Sequence, residues 1–408
     1  MRILMLAQFY PPLIGGEERH VHSLSVALAE RGHDVSVATM RHEGDSQMEV
    51  EQGVRIHRIR SSMQRASAVF SEKGRQYAPP FPDPEIMLAL NRILKSERTQ
   101  IIHAHNWILH SYTPLKTMYN AKFVVSLHDY SMICATKRLM YQNTQQCSGP
   151  TLAKCLQCAP KQYGNAKGVP PVFLNTLSGI AERKAVDMFL PVSHAVAELT
   201  QLERYGAPYR VINNFVPSNI NMLYDDTDPR LSQLPQQEYS LFVGDVRRDK
   251  GVDVLFRAYK GVKGATPLVL IGKMGSDLTV SAPANSLNLQ SWPHNAVLSA
   301  MRRCSIALVP SICADACPTV AIEAMAMGRP VVGSRIGGLT DIVVDGETGF
   351  LVPPGDVRAL RDAIQILLDD PGRREHMGAM AKKRVEKFYA STIVPSIEKV
   401  YEEVLTTP

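Results

Sequence analysis

Twice along this chain, short apolar runs alternate with stretches of helical period, and that alternation constrains the fold more than any other feature. Residues 2–7 form an apolar run that stops at Pro11-Pro12. Residues 18–31 then carry Val21, Leu24 and Leu28 at helical spacing, and Gly32 follows as a helix stop. Residues 34–39 alternate around Val35 and Val37 as a strand does. Further strands are expected at 54–60, 100–104, 123–127 and 188–192, with helices over 84–97 and 195–204. A second series begins with a strand at 239–243. It continues through helix 252–259, strand 267–271, helix 295–302, strand 305–309, helix 319–327 and strand 330–333. Helices at 357–368, 372–388 and 392–405 close it. Strands separated by helices pair in parallel, because a helical crossover brings the chain back in the same direction. The expectation is an α/β chain of two Rossmann-like, doubly wound domains. A ligand would sit at the carboxyl ends of the strands, in the cleft between the domains.

The first domain is expected over residues 1–215 and the second over 239–388. The polar, Pro- and Asp-containing stretch 216–238 reads as a linker. Residues 130–172 break the rhythm with Pro, Gly, Gln, Asn and four Cys, and read as a long insertion. With 408 residues, 45% of them hydrophobic and 21% charged, the chain is no disordered tail, collagen-like fibre or coiled coil. No apolar run approaches the ~18 residues of a membrane span. The apolar start MRILMLAQFYPPL is interrupted by Gln8 and has no small-residue cleavage site, so it reads as a buried strand rather than a signal peptide. A cytoplasmic location is expected. The net charge of +6 suits an anionic substrate or an anionic membrane surface, and is too weak to indicate nucleic acid.

Three segments carry chemistry. Gly15 and Gly16 follow the first strand and open a helix, where a backbone without side chains can approach a bulky anion; a ligand-free turn would use glycines too. GDVRRDKG at 244–251 also follows a strand and opens a helix. Lys250 then falls at a helix N-terminus, where a cation is out of place unless it meets a phosphate; a solvated loop charge is the alternative. The block PSICADACPTVAIEAMAMGRPVVGSRIGG at 310–338 puts Asp315 in a loop and Glu323 about a turn into a helix of small residues. Carboxylates so placed can both accept hydrogen bonds from the hydroxyls of one sugar or ribose. The N–H groups of Thr319 and Val320, just past Pro318, would face a phosphate. In the first domain His103, His105 and His128 gather at strand ends. A structural role is the alternative for His103, and zinc binding by the three has no ligand spacing on one helix to support it.

These motifs, in this order and at these intervals, resemble glycosyltransferase family 4, retaining enzymes of the GT-B fold. The resemblance runs from GGEERHVHSLSVALAERGHDV through IIHAH, VVSLHDY, VINNFVP and GDVRRDKG to the 310–338 block and DGETGFLVPPGD. It implies transfer of a sugar from a nucleotide-diphosphate sugar to a hydroxyl of a glycan, lipid-linked or small-molecule acceptor. Catalytic roles would fall to His128, Lys250, Asp315 and Glu323. Donor contacts would come from Gly15, Gly16, Arg247, Arg248, Lys250, Pro318, Thr319, Val320 and Glu323. His128 matches the family's histidine near the transferred sugar, Lys250 its phosphate lysine, and Glu323 the second acid of its E-x7-E motif, which holds the ribose. Asp315 stands at the first acid and is one methylene shorter than the family's Glu. Asp245 stands where the family has arginine, so Arg247 or Arg248 would supply that charge. The implied mechanism is front-face attack by the acceptor hydroxyl, with the departing phosphate accepting the proton and no metal or other cofactor required; no Asp-x-Asp pair lies beside the motifs. The resemblance also implies a C-terminal helix, 389–408, that crosses back to the first domain. A nucleotide-sugar epimerase and a non-catalytic nucleotide-sugar-binding protein are the competing readings.

Two further features stand outside the motifs. Cys134, Cys147, Cys155 and Cys158 lie in the insertion, the last two as C-x-x-C. Their readings are a structural zinc, free thiols or disulfides. Cys304, Cys313 and Cys317 read as packing or loop thiols, with Cys317 beside the donor site and open to alkylation. Arg55, Arg58, Arg60, Arg65, Lys73 and Arg75 are opposed by Glu72 alone, and read as a face for peripheral contact with an anionic membrane or as a solvated surface.

Overall fold

The computed structural model describes residues 1–13, 15–65 and 78–407; Glu72, Lys73 and Arg75 of the basic stretch lie outside them. The chain forms two compact units. One comprises Met1–Gln142, Cys147–Asn213 and Ile393–Pro408, the other Asn143–Gln146 and Asn214–Thr392.

The first unit is built on β1 (Arg2–Ala7), β2 (Asp34–Met40), β3 (Met48–Glu51), β4 (Val54–Ile59), β5 (Ile101–His105) and β6 (Lys122–Leu127). A short ribbon of β7 (Met140–Tyr141) and β8 (Gln145–Gln146) precedes β9 (Met188–Pro191). The main sheet runs β3-β4-β2-β1-β5-β6-β9. All pairs are parallel except β3 with β4. β1 and β5 are buried along nearly their whole length, because both sheet faces are covered; β1 accordingly reads as a continuous apolar run, while β5 buries His103 and His105. Helices α1 (Gly16–Glu30), α2 (Pro84–Glu97), α3 (Leu109–Tyr112), α4 (Leu152–Tyr163), α5 (Asn165–Ala185) and α6 (His194–Leu199) complete the unit. α2 starts where Asp83 accepts from the N–H groups of Glu85 and Ile86 and Pro84 fills the first helical position.

The second unit carries β10 (Ser240–Val243), β11 (Leu268–Ile271), β12 (Ser286–Leu289), β13 (Ile306–Val309), β14 (Val331–Ser334) and β15 (Gly349–Val352). These lie in the order β12-β11-β10-β13-β14-β15, every pair parallel. Around it pack α7 (Val252–Tyr259), α8 (His294–Arg303), α9 (Thr319–Ala326), α10 (Leu339–Ile342), α11 (Val357–Asp369) and α12 (Pro371–Arg384). One core joins Leu255, Phe256 and Tyr259 of α7 to Leu360, Ile364 and Leu367 of α11. The last helix, α13 (Ala390–Thr406), reaches the first unit from Ile393 onward. There Glu398 pairs with Arg31 and His33, and Glu403 with Arg210.

Three features differ from the sequence expectation. The insertion at 130–172 is helical in its second half, which holds α4 and the first turns of α5. Pro160, Pro170 and Pro171 inside these helices mask their period. The expected linker 216–238 belongs with the second unit and is shaped by two 3-10 turns, Ile220–Met222 and Pro229–Gln233. Strands β3, β7, β8, β12 and β15 were not expected; β3 and β12 are exposed edge strands with no apolar run to mark them. Among the described residues no helix is long and apolar enough to cross a membrane.

Candidate active site

In a doubly wound sheet the order of strands reverses at one point, and the loops leaving the two flanking strands part there to leave a crevice. In the second unit those strands are β10 and β13. The loop after β10 is GDVRRDKG, and the loop after β13 begins the 310–338 block. The carbonyl of Asp249 accepts from the N–H groups of Ile312 and Cys313 at 3.0 and 3.2 Å, which ties the loops together. Gly251 lies at φ +74, and a Cβ there would stand 1.8 Å from the carbonyl oxygen of Pro310, so the close approach requires glycine.

This contact brings Lys250 and Asp315 together. Lys250 Nζ lies 2.5 Å from Asp315 Oδ1, and Ser311 Oγ donates to Asp315 Oδ2 at 2.6 Å. Burial works against both charges, yet each partner outweighs it: the Lys250 ammonium is held above its usual range and the Asp315 carboxyl below its own. α9 begins at Thr319 behind Pro318, which has no side-chain cap to offer, so the first N–H groups of the helix, those of Thr319 and Val320, point out of the helix end. Glu323 is buried on α9, with Oε1 2.9 Å from His294 Nε2 at the start of α8. His294 is a partner that sequence reasoning missed, since no motif surrounds it.

The arginines are placed differently. Arg247 is held by Asp249, Nη2 to Oδ2 at 2.5 Å and Nε to Oδ1 at 3.1 Å, with Asp245 3.8 Å away. The acid at the family's arginine position therefore pairs with the neighbouring Arg247. Arg248 lines a cavity with Asp253 and Arg257, and its N–H donates to Asp277. Cys317 is buried and its thiol is pushed up to about 12 by burial. Burial and the raised thiol both disfavour the thiolate that alkylation requires.

In the first unit the strands at the reversal are β1 and β5. Gly15 and Gly16 follow β1 and open α1; Gly15 is the uncapped N-cap, and a Cβ on Gly16 would meet nothing within 4 Å. His103 and His105 lie two apart on β5, and His128 follows β6. His105 Nδ1 is 2.9 Å from His128 Nε2, and the ring of His20 on α1 stands 4.8 Å from that of His128. His103 bonds the Tyr401 hydroxyl at 2.7 Å and Ser126 Oγ at 2.8 Å, a structural role. Burial, reinforced by the other imidazoles, pushes His103 down to about 3 and His20 and His105 well below their usual value. These three rings are neutral at physiological pH.

Acidic residues that sequence reasoning passed over also meet here. Glu17, bonded by Asn106 Nδ2, is pushed up to about 8 by burial and by Glu18 and Asp129. Glu182 Oε1 lies 3.0 Å from His110 Nδ1 in the interior. Burial pushes Glu182 up to about 8 and His110 down to about 3, so the pair shares a proton without net charge. Asn106, Trp107, His128, Asp129 and Glu182 line one small cavity. Only their three-dimensional convergence reveals this group, because its members come from separate elements.

The remaining candidates lie elsewhere. Cys134, Cys147, Cys155 and Cys158 are free thiols lining one cavity. Among the described residues no three His, Cys, Asp or Glu side chains stand ready to hold a metal ion, the first unit's histidines included. The basic stretch is largely neutralised. Arg55 pairs with Asp34 and Glu97, Arg58 with Glu49 and Asp45, and Arg65 with Glu85, while Arg60 is exposed. That weakens its reading as a membrane face.

Known families and proteins resemble this chain along nearly its whole length. The profile described as Glycosyltransferase Family 4 matches residues 14–219, and that described as Glycosyl transferases group 1 matches residues 225–384. The chain is 27% identical over 436 residues to glycogen synthase of Mycobacterium tuberculosis, covering 98% of this chain and 94% of the relative. It is 27% identical over 438 residues to D-inositol 3-phosphate glycosyltransferase of Corynebacterium diphtheriae, with the same coverage of 98% and 94%. Among solved structures it resembles sucrose-phosphate synthase from Thermosynechococcus elongatus, with a TM-score of 0.73 and 21% identity over 99% of this chain and 98% of that one.

Proposed function

The chain belongs to glycosyltransferase family 4 and has the GT-B fold, and from that premise we propose that it is a retaining, metal-independent transferase whose second unit holds a nucleotide-diphosphate sugar through Lys250, Asp315 and Glu323. The observation that carries this reading is the 2.5 Å Lys250–Asp315 pair, at the strand-order reversal and on the loop that leads into the uncapped N-terminus of α9. Without donor, Asp315 neutralises Lys250. A donor diphosphate competes for the ammonium and for the N–H groups of Thr319 and Val320, and displaces Asp315 toward the sugar hydroxyls. The shorter Asp suits this exchange, since one side chain serves as counter-ion in one state and sugar acceptor in the other. Glu323, oriented by His294, accepts from the ribose hydroxyls.

Charge explains how the bond breaks. As the sugar–phosphate bond lengthens, negative charge grows on the departing diphosphate. Lys250 and the helix N-terminus, fixed beforehand, stabilise that charge without reorganising. The acceptor hydroxyl adds to the anomeric carbon from the face the diphosphate leaves and gives its proton to the leaving phosphate, so the configuration is retained. The first unit supplies His128, 2.9 Å from His105, to hydrogen-bond the transferred sugar, and offers Gly15, Gly16 and the Glu17–Asn106 group to the acceptor. The relatives' names, glycogen synthase and D-inositol 3-phosphate glycosyltransferase, support a hydroxyl-rich acceptor. We place the reaction in the cytoplasm, where seven unpaired cysteines fit a reducing compartment.

The test is a transfer assay with UDP-, GDP- and ADP-sugars in EDTA, the product read by NMR. An α-linked product from an α-linked donor, formed at an undiminished rate in EDTA, is expected. A β-linked product, or activity abolished by EDTA and restored by a divalent cation, would overturn the mechanism.

A further inference from the structure

We propose that Cys134, Cys147, Cys155 and Cys158 together bind one zinc ion, which folds the insertion that follows β6. The four come from three local elements: Cys134 from a turn, Cys147 from the end of the β7–β8 ribbon, and Cys155 and Cys158 from successive turns of α4. All four line a single cavity of about 20 Å³, otherwise walled chiefly by Ala135, Leu139, Met140, Pro150 and Ala159. Four thiols from scattered sequence positions around one small apolar hollow have few purposes other than a shared ligand.

The thiols are gathered without being closed on a common centre. Cys134 Sγ turns to Thr136 Oγ1 at 3.2 Å, Cys147 Sγ to the Gly149 carbonyl at 3.4 Å, and Cys158 Sγ to the Met140 carbonyl at 3.5 Å. These are weak contacts that a side-chain rotation gives up. The N–H of Gln142 already donates to Cys158 Sγ at 3.2 Å, the kind of backbone support a metal-bound thiolate receives.

The backbone supplies an independent reason for a staple. Lys137, Leu139, Gln142 and Asn143 have φ of 65, 50, 50 and 59, four non-glycine residues in the left-handed region within one short stretch. Each such residue is strained and persists only where its surroundings enforce it. One small cluster, Ala135, Ala159 and Val172 with Cys155 and Leu156 against them, together with the buried Leu139 and Met140, packs beside this stretch. A metal shared by the four thiols would add a cross-link to that packing. Thiolate sulfur is soft, and four of them favour tetrahedral Zn²⁺ at about 2.3 Å. On binding, each thiol releases its proton to solvent and donates a lone pair to the ion, with no change of oxidation state. Lys154, which lines the same cavity, offsets part of the resulting negative charge.

The full chain, purified in reducing buffer without chelator, is analysed for metal, and Co²⁺ is then exchanged in. Expected are about one zinc per chain and, for Co²⁺, the intense sulfur-to-cobalt absorption of a tetrahedral thiolate site. Zinc content should fall at least roughly tenfold in Cys155→Ser and Cys158→Ser and stay unchanged in Cys304→Ser. If the serine variants fail to fold, the wild-type stoichiometry and cobalt spectrum decide. The proposal is overturned by wild-type chain that holds no zinc after incubation with it, by a disulfide among the four cysteines, by iron–sulfur absorption, or by zinc that survives both substitutions.

Discussion

Lys250 and Asp315 lie 65 positions apart in sequence and 2.5 Å apart in space, and each residue had an oddity that sequence alone could register: a cation at a helix start and an acid in a proline-bounded loop. Their mutual pairing was not legible, because it depends on how closely Gly251 lets the two loops meet. Glu323 was legible from its setting of small residues; its partner His294 was not. If the pair is the donor clamp, Lys250→Ala and Glu323→Ala should each lower kcat/KM by about 10²–10³ with the fold retained, read by steady-state kinetics and circular dichroism. The Glu182–His110 pair gives a separate prediction. Because Glu182 is pushed from 4.5 up to about 8, the folded chain keeps a proton that the unfolded chain loses. Its contribution to stability is therefore full below pH 4.5 and declines as pH rises toward about 8. Glu182→Gln, which keeps a neutral hydrogen-bonding group, should flatten the fall of melting temperature over that range. Glu182→Ala should cost about 1–3 kcal/mol by stranding His110.

At the scale of elements, strands buried on both faces announced themselves as continuous apolar runs, and the exposed edges β3 and β12 did not. The insertion shows the opposite failure, in which real helices were hidden by the prolines they contain. α4 and α5 meet at Gly168, where an added Cβ would lie 2.6 Å from the Ala159 backbone. In an isolated helix Gly→Ala is favourable by about 1 kcal/mol. Here the collision should reverse the sign, and Gly168→Ala should destabilise by about 1–3 kcal/mol in urea unfolding. Gly251→Ala should be worse placed still, since the left-handed backbone and the Pro310 carbonyl oppose it together. It should weaken donor binding as well as stability.

For the whole molecule, two α/β halves follow from two runs of alternating elements, whereas the lateral order of strands does not, because a one-dimensional pattern carries no record of which strand lies beside which. The return of α13 to the first unit was likewise not readable from periodicity, and was expected only from the family resemblance. Ile393, Val394, Ile397, Val400, Tyr401 and Val404 of that helix are all buried. At ~1.5–3 kcal/mol per buried side chain, as an upper bound, their loss rivals the 5–15 kcal/mol that a folded domain has in total. Deleting residues 393–408 should therefore unfold the first unit, seen as a lost calorimetric transition. The most direct test of the central claim is calorimetric titration of UDP, GDP and ADP into the wild-type chain, Lys250→Ala and Glu323→Ala in EDTA. One nucleotide should bind the wild-type chain, with at least tenfold weaker binding in both variants at unchanged melting temperature. Equal affinity in all three chains would contradict the assignment of the donor site.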